Sequence, residues 1–202
     1  MTESKRDLKH KAAMEKQKSS VDASVNDAQT EKSVVVLLTG DGKGKSSSAF
    51  GMVMRALGYQ QKVGVVQFIK GEQLSGEEIY LQERCPEVHF YQMATGFTWD
   101  TQDRSSDMQA AERTWKVAEQ YLQNPELDLV VLDELTYMFA FKYLPEDTVL
   151  NAIKNRPAKQ SVVITGRGGG SALRELADTV AEVKDIKHAF RSGIKAREGV
   201  DY

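Results

Sequence analysis

The chain has 202 residues, which is enough to bury one core and too few for two full domains. Its formal net charge of −2 gives no general attraction for nucleic acid or for a membrane surface, so neither is expected as a partner. The single Cys85 excludes an internal disulfide and a thiolate metal cluster, consistent with a reducing compartment. No apolar run approaches the roughly 20 residues of a membrane helix. The N-terminus also lacks the apolar core of a secretory signal, so we expect a cytoplasmic protein.

The first 32 residues differ in composition from the rest. Basic residues outnumber acidic ones between Met1 and Ser20, and large apolar residues are almost absent. This composition is typical of a disordered, solvated arm. The alternative is a helix that orders only against a partner or ligand, because Ala12, Ala13 and Met14 lie among good helix formers. The sequence therefore predicts a basic arm at 1–32 and a single domain at 33–202.

Strand and helix patterns alternate through that domain. Near-continuous apolar runs predict strands at 34–38, 63–69, 88–93, 129–132 and 161–165. Between them, spaced apolar residues predict helices at 48–57, 108–122 and 145–153. Buried strands separated by helices indicate an α/β fold with a mostly parallel sheet and helices on both faces.

The first strand runs into a glycine-rich turn that leads to a helix, the arrangement of a phosphate-binding P-loop. Glycines let the backbone approach phosphates, and N–H groups at the helix N-terminus attract them. Lys45 would reach the outer phosphates, and the Ser46 hydroxyl would coordinate Mg²⁺. Thr39 stands where the consensus has its first glycine, which comes one residue later. The predicted ATP-binding residues of this turn are Gly40, Asp41, Gly42, Lys43, Gly44, Lys45, Ser46 and Ser47.

Charged residues follow two further strands. Asp133 and Glu134 end a buried strand, where P-loop proteins hold Mg²⁺ directly or through water. A helix N-cap is a compatible role for Asp133, and which carboxylate would touch the ion stays open. Arg167 follows the strand at 161–165 and is predicted to bind ATP, because parallel sheets place ligands at the carboxyl ends of their strands. A flexible glycine turn is the alternative there.

Two aromatic residues, Phe97 and Trp99, lie two positions apart in a loop after the strand at 88–93. Their spacing alone favours ordinary core packing. The Asn-Lys-x-Asp signature of GTPases is absent, which favours ATP over GTP. These features predict an ATP-using enzyme and leave its chemistry undetermined.

Several motifs together resemble the CobA-type ATP:corrinoid adenosyltransferases. The resemblance covers the chain from about residue 34 onward, and the Met-Ala-Thr-Gly-Phe-Thr-Trp run is its most specific segment. The displaced glycine of the phosphate loop is a trait of the same family. The matching segments are 39–45, 65–71, 93–99, 130–137, 164–168, 187–190 and 199–202. The family resemblance implies a P-loop NTPase fold of the RecA-like type.

The resemblance also implies a reaction. Co(I) of a corrinoid such as cobalamin attacks the 5′-carbon of ATP, and triphosphate leaves with Mg²⁺, or Mn²⁺ as an alternative ion. Lys45 would stabilise the leaving group. Phe97 and Trp99 would bind the corrinoid and displace its lower axial ligand, so that Co(II) can be reduced by a flavoprotein, flavodoxin in bacterial members. Relatives are homodimers whose N-terminal segment helps cover the corrinoid, which favours an ordered helix in the arm.

Two other classes of enzyme would use the same loop. A small-molecule kinase would transfer the terminal phosphoryl group and release ADP. A RecA-like ATPase stimulated by nucleic acid would release ADP and phosphate, and should carry a basic, aromatic-lined groove. The mixed charges of the chain disfavour the second alternative, and product analysis separates all three.

Overall fold

The computed structural model describes residues 5–69, 74–93 and 104–202. Contacts divide the chain into two units, Met1–Lys32 and Ser33–Tyr202. In the first unit, helix α1 spans Lys5–Asp27 and buries none of its residues. Its helical form agrees with the good helix formers in its sequence. That the helix acts against a partner or ligand stays a prediction.

The second unit is built on a sheet whose described strands all pair in parallel. The strands are β1 (Val35–Thr39), β2 (Val63–Gln67), β3 (His89–Gln92), β4 (Leu129–Asp133), β5 (Ser161–Thr165) and β6 (Thr179–Glu182). Their order across the sheet is β3-β2-β4-β5-β1-β6. This arrangement confirms the predicted parallel sheet and each of the five predicted strands, within one or two residues at their ends.

Helices cover both faces of the sheet. They are α2 (Lys45–Gly58), α3 (Gly76–Arg84), α4 (Arg104–Gln123), α5 (Thr136–Ala140), α6 (Glu146–Lys154) and α7 (Gly170–Leu176), with a short 3-10 turn at Ala189–Ser192. Successive strand residues point to opposite faces. Leu37 accordingly joins the apolar cluster under α4, α6 and α7. Leu38 joins the cluster under α2 and α3. The predicted two-sided cover is confirmed.

Strand β6 and the helices α3, α5 and α7 were not predicted. All four residues of β6 are exposed, because it is an edge strand with β1 as its neighbour. It therefore lacks the apolar run that marks the inner strands. Helices α5 and α7 are only five and seven residues long, too short to repeat an apolar period. Helix α3 is as long as the predicted α6, but Glu78 and Leu81 are its buried residues, so it has no apolar stripe.

The strand order decides what meets at the carboxyl edge of the sheet. The phosphate loop follows β1, and the predicted acidic pair ends β4. Strand β5 lies between them, so its final residue, Thr165, lies between the loop and the acids.

Candidate active site

The phosphate loop begins one residue later than the consensus because β1 extends through Thr39. That residue is fully buried, and its hydroxyl donates a hydrogen bond to the Gly168 carbonyl at 2.8 Å. Gly40 then turns the chain with a φ of 98°, in the left-handed region that favours glycine. A Cβ on Gly40 would also collide with the Val183 carbonyl. The glycine is therefore needed at position 40.

The chain just after β6 holds the loop in shape. The Val183 N–H donates to the Thr39 carbonyl at 2.8 Å, and the Gly42 N–H donates to the Val183 carbonyl at 2.8 Å. A Cβ on Gly42 would come within 2.7 Å of the Lys184 backbone. The conformation of the loop thus rests on backbone groups and on close approach between two backbones.

Lys45 is the first residue of α2 and is only 7% exposed. Its Nζ donates to the Gly42 carbonyl at 2.8 Å, across the turn of the loop. Burial lowers the pKa of Lys45, while the nearby Glu134 carboxylate opposes that effect. A cation held over backbone N–H groups is suited to a polyphosphate.

Asp133 ends β4 with both carboxylate oxygens engaged. Oδ1 accepts from the Thr165 hydroxyl at 2.6 Å, and Oδ2 accepts from Nε2 of Gln67 at 2.9 Å. The side chain is 2% exposed. Helix α5 begins at Thr136 without a side-chain cap, so the Asp133 side chain does not serve as the predicted N-cap. It links β2, β4 and β5 instead.

Glu134 lies next along the chain in a different environment. Its backbone has a φ of 57° and is held by an N–H bond to the Thr165 hydroxyl oxygen at 2.9 Å. Its Oε2 atom is buried, and no described residue forms a hydrogen bond with it. Burial and the neighbouring Asp133 charge raise the pKa of Glu134 to about 7, partly offset by Lys45 and Arg167. Such strain and an unpaired buried oxygen are typical of a functional position.

These groups border one cleft of about 520 Å³. It is lined by the predicted residues Asp41, Gly42, Lys43, Gly44, Lys45, Ser46, Ser47, Asp133, Glu134 and Arg167. The predicted Gly40 packs against Val183 and is not among the residues that line the cleft. Arg167 is exposed in the turn after β5. Phe97 and Trp99 lie outside the described residues, so their predicted roles stay predictions.

The cleft also contains residues that the sequence did not indicate. Gln67 ends β2, and its position at a strand terminus was the available signal. Asp185, His188, Phe190, Arg191 and Asp201 come from the C-terminal segment. Asp201 pairs with Lys43 of the phosphate loop at 3.1 Å. Parts of that segment, 187–190 and 199–202, match the family, but they carry no phosphate-binding pattern, because these residues reach the cleft only through the fold.

A glycine-rich loop between β1 and α2, a buried lysine and an acidic pair at a nearby strand end define a P-loop nucleotide-binding protein. Within the described ranges, no three His, Cys, Asp or Glu side chains cluster closely enough to hold a metal. In the same ranges, no helix is long and apolar enough to cross a membrane.

Comparison with known proteins identifies the family. The model of the family described as ATP:corrinoid adenosyltransferase BtuR/CobO/CobP matches residues 31–202. A corrinoid adenosyltransferase of Pseudomonas aeruginosa is 51% identical over 98% of this chain and 97% of its own length. One of Escherichia coli is 48% identical over 97% of this chain and 99% of its own length. The chain belongs to the ATP:corrinoid adenosyltransferase family, as the resemblance of its motifs predicted.

A solved structure supports the fold alone. The flagellar accessory protein FlaH of Methanocaldococcus jannaschii superposes with a TM-score of 0.51 at 14% identity. The match covers 74% of this chain and 70% of FlaH. The predicted P-loop α/β fold is confirmed by this likeness together with the parallel sheet.

Proposed function

We propose that the protein transfers the 5′-deoxyadenosyl group of ATP to Co(I) of a corrinoid, forming adenosylcobalamin or its precursor. The electron pair of Co(I) forms the cobalt–carbon bond, and the C5′–O pair departs with the triphosphate. The observation that carries the proposal is the cleft, in a chain that belongs to this family. The cleft is lined by a phosphate loop and by Glu134, whose Oε2 atom is buried and has no partner among the described residues.

The phosphate loop holds the leaving group in this reaction. Negative charge grows on the ester oxygen as the C5′–O bond breaks. Lys45 and the backbone N–H groups of the loop are fixed before the reaction, so they stabilise the transition state more than the ground state. The exposed Arg167 lines the same cleft and adds a second positive charge. No protein nucleophile is needed, because the cobalt of the substrate attacks.

A divalent cation, Mg²⁺ or alternatively Mn²⁺, fits the acidic side of the cleft. Ser46 and Glu134 would hold it, because Glu134 presents a buried oxygen that has no partner within the described ranges. When bound, the ion would neutralise charge on the triphosphate. Asp133 would support this site without binding the ion, because one of its oxygens accepts from Thr165 and the other from Gln67. Mg²⁺ usually takes one or two carboxylates and completes its shell with phosphates and water, in keeping with this sparse donor set.

We assign Phe97 and Trp99 to the preparation of the corrinoid. An apolar wedge that removes the lower axial ligand leaves four-coordinate Co(II), lowers the energy of the electron-accepting orbital and makes reduction easier. One electron from a reduced flavoprotein such as flavodoxin would then produce Co(I). The family resemblance and the sequence of these residues support this assignment.

Three further proposals concern the protein in the cell. The enzyme would act as a homodimer, as the family resemblance implies, and it would work in the cytoplasm. The arm at 1–32, which contains α1, would help to cover the corrinoid site. The single Cys85 suits a reducing compartment.

The test mixes the protein with Mg-ATP and chemically reduced cobalamin under anaerobic conditions. We expect a light-sensitive cobalt–carbon absorption spectrum and the release of one triphosphate for each cobalamin converted. A control without protein should show neither. Production of ADP with unchanged cobalamin would contradict the proposal and support one of the two alternative enzyme classes.

A further inference from the structure

Gln67 is a buried member of the cleft that has no role in the reaction described above. It is the last residue of β2 and is only 1% exposed. Its Oε1 atom is buried and has no hydrogen-bond partner among the residues that the structure describes, although the side chain lines the cleft. Leaving a buried acceptor unpaired is destabilising, so a bound ligand is expected to supply the missing donor.

The hydrogen bonds around Gln67 fix which way its amide points. An ionised carboxylate only accepts hydrogen bonds, so Oδ2 of Asp133 must face the NH₂ group of Gln67, at 2.9 Å. Thr165 donates its single hydroxyl hydrogen to Oδ1 of Asp133 and accepts from the Glu134 N–H. A reversed amide would set two acceptors against each other. The carbonyl of Gln67 therefore remains available to a donor from the cleft.

The strand order locates this acceptor within the site. Along the sheet edge, β1 carries the phosphate loop, β4 carries Glu134, and β2 carries Gln67 beyond Asp133. The next strand is β3, and Phe97 and Trp99 follow it in the sequence. In an in-line displacement, the reacting carbon lies between the leaving group and the nucleophile. The sugar of ATP would then lie over the ends of β4 and β2.

We propose that Oε1 of Gln67 accepts a hydrogen bond from a hydroxyl group of the ATP ribose and thereby positions the sugar. The ionised triphosphate has no hydrogen-bond donor. The donors of ATP are the 2′- and 3′-hydroxyls of the ribose and the amino group of adenine, and the hydroxyls belong to the sugar that the strand order places over β4 and β2. Asp133 is a positioning residue in this arrangement, because it orients Gln67 on one side and Glu134, through Thr165, on the other. The inference rests on the proposed use of ATP as the adenosyl donor.

The test measures dissociation constants by calorimetry without corrinoid, so that no turnover occurs. The ligands are the Mg²⁺ complexes of ATP, 2′-deoxy-ATP, 3′-deoxy-ATP and inorganic triphosphate. We expect the wild type to bind at least one deoxy-ATP about tenfold more weakly than ATP. Gln67→Met keeps the length of the side chain and removes the acceptor. It should bind ATP about tenfold more weakly, lose the preference for ATP over that deoxy-ATP, and bind triphosphate as the wild type does.

Thr165→Val is the matched control, because it also removes one hydrogen bond to Asp133 and leaves Gln67 in place. It should keep the preference for ATP over deoxy-ATP. Gln67→Asn, which withdraws the acceptor by one methylene, serves as a second variant if Gln67→Met does not fold, and should also lose the preference.

Three results would overturn the inference. They are equal binding of ATP and both deoxy analogues by the wild type, persistence of the preference in Gln67→Met or Gln67→Asn, and an equal loss of triphosphate and ATP affinity in those variants. The last result would indicate that Oε1 of Gln67 accepts its hydrogen bond from a water molecule bound to the cation, and not from the ribose. Failure of the wild type to bind either ATP or triphosphate would instead contradict the proposed function.

Discussion

The two sides of the cleft are stabilised by different means. On the β1 side, the phosphate loop is held by backbone hydrogen bonds to Val183 and by glycines packed against backbone. On the β4 side, the carboxylates are held by side chains, from Gln67 through Asp133 to Thr165. A side-chain substitution should therefore leave the geometry of the loop intact but disturb the geometry of the acids. The comparison therefore predicts that a substitution on the β1 side can lower activity with little loss of stability, whereas a substitution on the β4 side lowers stability.

The largest effect is expected at Lys45, on the side held by backbone. Lys45→Ala removes a buried charge whose one described hydrogen bond is to the Gly42 carbonyl. Adenosylation should fall on the order of 10²-fold or more, because a preorganised contact to the developing anion is lost. The melting temperature should change little.

Lys62→Ala is the control for Lys45→Ala, on a lysine that does not line the cleft. Lys62 is exposed and pairs with Glu126 at the surface, where solvent screens the interaction and makes its contribution small. Its loss should change turnover only slightly. Wild-type activity in Lys45→Ala, or an equal loss in both variants, would mean that the triphosphate does not lie under Lys45.

A second prediction concerns the corrinoid end of the site. Phe97→Ala or Trp99→Ala should fail when the reaction starts from Co(II) with a flavoprotein reductant. Chemically generated Co(I) should restore much of the rate. The difference between the two starting states should exceed about tenfold, which corresponds to about 59 mV in a one-electron potential. Equal losses from both starting states, with stability lowered by about 3–5 kcal/mol, would instead return the two aromatics to core packing.

A third prediction concerns the cation and pH. Glu134→Gln removes the charge and keeps the shape, so half-maximal activity should require more Mg²⁺. In the wild type, Mg²⁺ affinity should fall as the pH drops below about 7, because Glu134, with a pKa of about 7, becomes protonated. The variant should lose this dependence. Mg²⁺ titrations that match at every pH would exclude Glu134 as a ligand.

The same group makes a prediction for stability. The pKa of Glu134 is raised in the folded protein from an ordinary value of 4.5 to about 7, so the folded state binds the proton more tightly than the unfolded state. Its contribution to stability is therefore complete below about pH 4.5 and is lost as the pH rises to about 7. In thermal unfolding, Glu134→Gln should therefore become more stable relative to the wild type as the pH rises across that interval.

The clearest effect on stability is expected at Thr165. Thr165→Val leaves Oδ1 of Asp133 and the Glu134 N–H without their partner, which should cost about 1–3 kcal/mol in denaturant unfolding. The matched change on the other side is Thr39→Val. It removes one bond to the carbonyl of the exposed Gly168, where water can replace it. A larger cost for Thr39→Val than for Thr165→Val would reverse the comparison.

The same difference explains how much of the site could be predicted from the sequence. The loop around Lys45 was predicted residue by residue, since a contiguous motif specifies a backbone conformation. The inner strands were predicted too, because burial on both faces leaves an unbroken apolar run. Gln67 and Asp201 were missed as site residues. Gln67 reaches the cleft only when the strands align, and Asp201 reaches it only when the C-terminal segment folds back. The unpaired oxygen of Glu134 depends on burial, which no motif records.

The most direct test of the account uses β,γ-methylene-ATP, in which the bond to the terminal phosphorus resists cleavage. If the loop grips a leaving group, only the C5′–O bond breaks. Reduced cobalamin should then be adenosylated with this analogue, and the methylene-bridged triphosphate should be released intact, as followed by phosphorus NMR. An analogue that binds but gives no cobalt–carbon product, together with ADP formation from ATP, would show that the enzyme cleaves between phosphates and would contradict the central claim.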